Sequence, residues 1–398
     1  RASSTGFKAA LPAIVDSGVT TVLAAALLFV LASGPVRGFG VTLTIGVLVS
    51  LFSALVLARA VTELIVARRF IRRRPALTGI ASIGPVRRRL EGASPDLLQR
   101  RRLWLAASAA VVLVALGGIA ARGLEFGVEF TGGRLVEFTT ASPIDPEAAR
   151  QVLTDAGYPR VVVQESGDGD IAVRAGELDD AAVAEIREAL AASVGGADVL
   201  RNELIGPSLG AELRRGALIA LGIALAAQLA YLAIRFRWTF SAGAVAALAA
   251  NVAVVIGAFA WLGRPIDGVF LAALLTVIGY TVNDSVVVFD RVREAWRGQA
   301  PGKRRPPFHR VVGRAVLSTL PRTVNTGLST LVILFALLVL GGATLADFAL
   351  ALIIGIIAGT TSTIAVAAPL AIELETLRPA PPPRPRTAPE RRGTGAVV

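Results

Sequence analysis

The chain has 398 residues, 54% of them hydrophobic, a mean hydropathy of +0.65 and a net charge of +12. That apolar load exceeds what soluble domains carry. The absence of cysteine excludes disulfides and thiolate metal sites, and a lone histidine, His309 beside Arg310, excludes a zinc centre.

Eight segments are long and apolar enough to span a bilayer at ~20 residues per crossing. They lie near 18–33, 39–66, 103–121, 216–234, 240–262, 268–290, 323–341 and 346–372. The basic residues fall between them. Residues 68–102 hold eleven Arg, 291–314 hold eight Lys or Arg, the tail after Leu377 adds five, and the turn at Arg235 and Arg237 adds two. If all eight segments cross, these four regions share one side, and the opposite hairpins carry only Arg37 and Arg264. The positive-inside rule then puts both termini in the cytoplasm and reads the net charge as topology, not nucleic-acid binding. The chain starts at Arg1 and contains no Met, which reads as a piece of something longer. No signal peptide is visible at its start.

One large polar region, 123–212, remains on the far side. Residues 134–140, 161–164, 171–174 and 197–204 read as strands, and 146–156 and 179–192 as helices with acids at their starts. The order β-α-β-β-α-β predicts a small ferredoxin-like α+β domain. It holds no His or Cys, and no paired nucleophile and base. Pro75, Pro85 and Pro95 punctuate the basic linker, and the proline-rich tail reads as extended; both suit anionic lipid or simple topology-setting.

Shifted by 309, the first 60 residues align without gaps to the last two spans. Leu11-Pro12 matches Leu320-Pro321; Val15, Gly18 and Thr21 match Val324, Gly327 and Thr330; Ile45-Gly46 matches Ile354-Gly355. Transporters are often built from such repeats, with sites at the repeat interface. The differences fall at Asp16/Asn325, Ala13/Arg322 and Gly38/Asp347, as two halves specialised for one asymmetric site would show.

Within the sixth span, Asp284 is a carboxylate well before the charged end at Asp290 and Arg291. Such a residue costs several kcal/mol or more in a bilayer and marks an ion relay, an ion pair or a substrate contact.

These residues resemble the SecD/SecF family of bacterial protein-export membrane proteins. Gly127-Val128-Glu129-Phe130-Thr131-Gly132-Gly133 is similar to the family's G-[IV]-[DE]-F-T-G-G. Gly279 to Glu294 resembles the signature of its fourth SecF span, and Pro321-Arg322-Thr323-Val324-Asn325-Thr326 the R-T-x-x-T entry to its fifth. Residues 6–66 are similar to the last two spans of SecD, with Ser17-Gly18 departing from the family's D-A-N. The resemblance implies an α-helical polytopic membrane protein of RND-type repeat architecture. Its parts would be a SecD-like piece over 1–66, a linker over 67–102, a first SecF-like span over 103–122, the external domain over 123–212, five spans over 213–377 and a tail over 378–398. The simplest account is a fused SecDF whose SecD front, with the acidic residue of its fourth span, is missing.

The resemblance further implies a non-enzymatic, multi-pass helper of the Sec channel in the bacterial plasma membrane, driven by protons with no other cofactor. Its partners would be the SecD half, the SecYEG channel, a YajC-like small subunit, preproteins and membrane lipid. Asp284 would be the protonatable relay group and Arg322 the permanent cation competing with its proton, since arginine does not deprotonate in proteins. A fixed buried pair that locks helix packing is the structural alternative for these two. Asp347 would be an outer proton mouth or a helix-start acid. Asp16, Asn283, Thr323 and Asn325 are relay or packing candidates, and Gly127, Phe130, Thr131, Gly132 and Gly133 form the motif of the external domain. Against this reading stand a proton-coupled exporter of small molecules or lipids and a passive scaffold of the channel.

Overall fold

The structure, a computed structural model, describes residues 34–67, 98–159, 161–166, 170–176, 178–297 and 306–377, with isolated helical positions before 34. Asp16, most of the linker and the tail lie outside the described residues, and the segment 18–33 is described only at scattered positions.

Among the described residues seven helices are long and apolar enough to cross a membrane. The first is α1 (Gly34–Phe52), which passes through a π-helical turn (Ser53–Leu57) into α2 (Ala58–Ala67). Then come α3 (Arg101–Arg122), and after the external domain α7 (Pro207–Arg235), α8 (Trp238–Leu262), α9 (Gly268–Arg297) and α10 (Phe308–Leu340). The last is α11 (Gly342–Ser362), continued through a second π turn (Thr363–Ala367) by α12 (Ala368–Leu377). Two of these helices start well before the apolar pattern does. Pro207 opens α7 at a position where its missing N–H is not needed, and Phe308 opens α10 ahead of its polar first turns. Hydropathy marks the part of a helix that lies in lipid, not the turns that extend into water.

The external domain carries a single helical turn α4 (Val128–Thr131), β1 (Gly133–Thr140), α5 (Pro146–Asp155), β2 (Val162–Ser166), β3 (Asp170–Ala175), α6 (Asp180–Val194) and β4 (Ala197–Ile205). Both helices start on aspartate caps. Asp145 accepts from Glu147 N at 2.8 Å and Asp179 from Ala182 N at 2.7 Å. The four strands pair antiparallel in the order β2-β3-β1-β4, the ferredoxin-like arrangement. Val136, Phe138, Ile171 and Val173 bury one sheet face against Leu153, Ile186 and Leu190 of the two helices.

Helix α9 is the axis of the membrane part. It packs against α1, α7, α8, α10 and α11, and Phe270, Leu274, Ile278, Val282 and Phe289 along it are almost fully buried. Small residues permit this crowding. A Cβ at Gly359 would lie 2.6 Å from Thr281 Oγ1 and 2.8 Å from Asn251 Nδ2. The buried Asn251 side chain uses that gap to donate to Thr281 Oγ1 at 2.5 Å and to the Gly355 carbonyl at 3.2 Å. A hydrogen-bonded knot therefore pins α8, α9 and α11 at one level.

Candidate functional site

Asp284 sits in α9 one turn beyond that knot. Its surroundings come from three helices. From α10, Thr323 Oγ1 donates to Asp284 Oδ1 at 2.9 Å. From the π turn after α11, Thr363 stands beside the carboxylate. The Thr363 hydroxyl also satisfies the Gly359 carbonyl at 3.1 Å and meets Ser285 Oγ at 3.3 Å. Tyr280, one turn earlier on α9, lies within electrostatic range of Asp284 and close to Thr360. Asp284 Oδ2, Asn283 Oδ1 and Thr360 Oγ1 are buried without a hydrogen-bond partner among the described residues. A buried acceptor left unbonded costs roughly 1–3 kcal/mol, so such a cluster is retained for a reason other than packing.

Local sequence explains this placement. Pro321 lies inside α10 and supplies no N–H to the carbonyl four residues back. The two residues after it point about 100° apart around the helix: Thr323 is buried towards Asp284, and Arg322 is exposed. Arg322 is within electrostatic range of Asp284 but makes no ion pair with it. The fixed buried pair considered from sequence is therefore absent from this structure. The nearest polar contact is a neutral hydroxyl, because the helix turns the guanidinium outward at the register that brings Thr323 in. Asn325 is exposed and takes no part in the cluster.

The π turn was not legible as such. Ser53 aligns by the 309 shift with Ser362, and the two π turns begin at Ser53 and at Thr363, one residue apart in that frame. The repeat therefore extends to a rare backbone irregularity that is enriched at functional sites. A readable trace of it was the hydroxyl run Thr360-Thr361-Ser362-Thr363 in an apolar span.

A second charged cluster lies where the external domain meets the spans. The segment before the GG motif forms a parallel bridge with the loop that leads into α9: Gly127 N donates to Ile266 O at 3.0 Å and Ile266 N to Glu125 O at 2.7 Å. Glu129 reaches further and its Oε2 accepts from Gly268 N at 2.8 Å, while Asp267 Oδ1 accepts from Phe270 N at 2.8 Å. Burial first, and then Asp267, raise the Glu129 carboxyl above its ordinary range. Burial raises Asp267 as well, against the Phe270 N–H and the Arg174 and Arg201 charges. Arg174 of β3 is lowered by burial and held up by Asp267, Glu125 and Asp347. Asp347 pairs with Arg264 at 3.3 Å, which joins the two far-side hairpins. Phe130 is buried in the span core, and Thr131 Oγ1 bonds the Gly127 and Gly132 carbonyls at 3.2 and 3.0 Å. Gly132 has φ 73° and ψ 163°, and a Cβ there would lie 2.6 Å from Pro207 Cα. Gly133 has φ 126° and faces the Ala175 carbonyl equally closely. The motif is glycine-rich because two backbones pass where a side chain would stand.

At the opposite end, ion pairs tie the helices together: Arg235 to Asp290 at 2.9 Å, Arg237 to Glu375 at 3.3 Å and Arg101 to Glu373 at 2.8 Å.

Residues 186–377 match the model of the protein export membrane protein SecD/SecF C-terminal family, and residues 117–144 the SecD/SecF GG motif. The chain is 38% identical over 283 residues to protein translocase subunit SecF of Desulfurispirillum indicum, covering 69% of this chain and 90% of that one. The chain belongs to the SecD/SecF family. It is also 37% identical over 384 residues to protein translocase subunit SecDF of Thermus thermophilus, covering 94% of this chain and 50% of the relative. This SecD/SecF chain thus spans about half the length of that fused relative. The crystal structure of SecDF, a translocon-associated membrane protein, from Thermus thermophilus superposes with a TM-score of 0.82 at 35% identity, over 94% of this chain and 50% of that one. SecDF in its super-membrane-facing form gives 0.68 at 36% identity, over 95% and 50%.

Proposed function

We propose that this chain is an accessory subunit of the Sec protein translocase that uses proton-motive force to promote export of unfolded polypeptide, with Asp284 as its proton-binding group. The observation that carries the reading is the carboxylate held by hydroxyls alone. Thr323 occupies Oδ1, and Oδ2 keeps its lone pairs for a proton. Hydroxyls donate or accept, so they suit both the ionised and the neutral carboxyl, whereas a bidentate guanidinium would hold it ionised.

Arg322 stands on a face of α10 that also exposes Thr326, Ser329 and Ile333. A guanidinium in mid-span does not face lipid at acceptable cost. In this reading that face meets the SecD-like half, and Arg322 approaches Asp284 or a carboxylate of that half in turn. Asp347, paired with Arg264 at the end that carries the α+β domain, is the outer entry point. The basic loops make their own side cytoplasmic, in a plasma membrane where SecYEG, a YajC-like subunit and preproteins are the partners. Each proton that crosses ~100 mV releases about 2.3 kcal/mol, enough for several crossings to bias the sliding of a chain. No bond is made or broken, so the role is transport and not enzyme catalysis.

The test uses the intact protein in vesicles with a preprotein substrate. Asp284→Asn and Arg322→Ala are each expected to abolish the stimulation of export by an imposed proton gradient. Stimulation that survives both variants would sink the relay and leave a passive scaffold.

A further inference from the structure

The relay explains how a proton is held but not how its arrival reaches the external domain. Three observations bear on this. First, the helix that carries Asp284 begins at Gly268, and the donor of that first helical residue is bonded by the external domain: Gly268 N to Glu129 Oε2, between residues 139 apart in sequence. Second, the GG loop that holds Glu129 is wedged between rigid backbones. Gly132 lies against Pro207 at the start of α7, and Gly133 against Ala175 of β3. Third, α9 is a continuous helix from Gly268 through Asp284, about 24 Å at 1.5 Å per residue.

We propose that Glu129 is a positioning residue for the relay: its carboxylate couples the GG loop to the first turn of α9, so that a shift of the Asp284 helix is passed to the α+β domain. The proposal rests on the proton-relay reading of Asp284. An uninterrupted helix moves as a body, and small shifts of packed elements are amplified where they meet an interface. The backbone bridge between Phe126 and Ile266 secures the loop before α9. Glu129 is the side chain from the external domain that bonds the helix itself. The groups facing it are Asp267 at the helix start, Arg201 and Glu203 on β4, and, through Asp267, Arg174 on β3 and Asp347 of the last span. Elements from both parts of the molecule thus converge on one carboxylate.

The experiment measures a distance. This chain has no cysteine, so Glu188→Cys on exposed α6 and Leu340→Cys at the outer end of α10 admit a spin-label pair in the intact protein. Asp284→Asn, which mimics the protonated state, is expected to shift the distance distribution. In Glu129→Ala that shift is expected to fall to about half or less, and in Glu129→Gln, which keeps an acceptor for Gly268 N–H, to return. The proposal is overturned by no shift in Asp284→Asn, by an equal shift in Glu129→Ala, or by a Glu129→Gln no better than Glu129→Ala. Export assayed on the same samples separates the two ideas. Full gradient-driven export in Asp284→Asn counts against the relay. Lost export with a distance shift indifferent to Glu129 counts against the coupling alone.

Discussion

The two charged regions of this molecule solve opposite problems. Around Asp284 a single carboxylate sits among threonine, serine and tyrosine, its nearest arginine is turned away, and buried acceptors go unbonded. Around Glu129 and Asp267 every acid has a backbone N–H or a guanidinium nearby, and backbones touch at glycine. The first arrangement leaves a protonation state open. The second fixes a geometry. A carboxylate meant to gain and lose a proton is better served by neutral partners, whereas a joint that must transmit movement needs directional bonds at a boundary where water can share the charge.

The sharpest way to break this contrast is at the joint's backbone. Gly132 occupies a region of backbone conformation that is essentially reserved for glycine, at a strain of about 1–3 kcal/mol for other residues. Its Cβ would also meet the Pro207 backbone at 2.6 Å, and such overpacking adds roughly 1–3 kcal/mol. Gly132→Ala is therefore expected to destabilise by about 3 kcal/mol, read as a lower denaturation midpoint in detergent. Gly195→Ala is the control. That residue has φ 82° at the end of α6, with open space around it, and is expected to lose only about 1 kcal/mol. Equal losses would mean that strain alone, and not the close approach of the two parts, explains the motif.

The relay is expected to respond to a smaller change. Thr323→Val preserves shape and removes the donor to Asp284 Oδ1. A lost bond to a buried carboxylate is worth about 1.5–3 kcal/mol, so the unfolding midpoint is expected to drop accordingly and gradient-driven export to fall by about tenfold or more. Thr323→Ser, which keeps the hydroxyl, is expected to stay near the parent rate. A Thr323→Val protein as active as the parent would show that hydroxyl contact is incidental to the site.

How far each region could be read from the sequence follows from the same contrast. Asp284 stood out because one charge in an apolar run is visible along the chain. The ferredoxin-like order was legible because period-two strands and the aspartate caps at Asp145 and Asp179 are local signals. The nearest partner was legible only as one of several candidates: Thr323 reads as a relay or packing residue, Arg322 carries the obvious charge, and helical register decides that Thr323 is the one that faces inward. Glu129 and Asp267 went unread as a unit because sequence adjacency says nothing about two acids brought together by a loop crossing. The motif glycines were recognisable as a pattern, while the backbones they admit, Pro207 and Ala175, appear only once the chain is folded. The starts of α7 and α10 were missed for a simpler reason, since polar turns continue a helix beyond the lipid.

The smallest expected effect concerns pH and separates the two regions by their titration. Glu129 and Asp267 are both raised by burial, and the Asp267 charge adds to the effect at Glu129. Between the ordinary value of 4.5 for Glu129 and its higher folded value, the folded protein holds more protons than the unfolded chain. Stability therefore falls as pH rises through that window, and the joint's contribution is fully present only below it. Arg174 and Arg201 both moderate the effect at Asp267 and Arg201 alone does so at Glu129, so Glu129 is the better probe. Glu129→Gln is uncharged at every pH and keeps the acceptor for Gly268. It is expected to unfold at a slightly higher temperature than the parent at pH 8 and to match it near pH 4.5, so that its midpoint varies less with pH. Amide exchange at Gly268 and Phe270, compared between the two proteins at each pH, locates the difference at the joint. Parallel pH profiles for parent and variant would place the titrating group elsewhere and leave Glu129 as a cap whose charge is irrelevant.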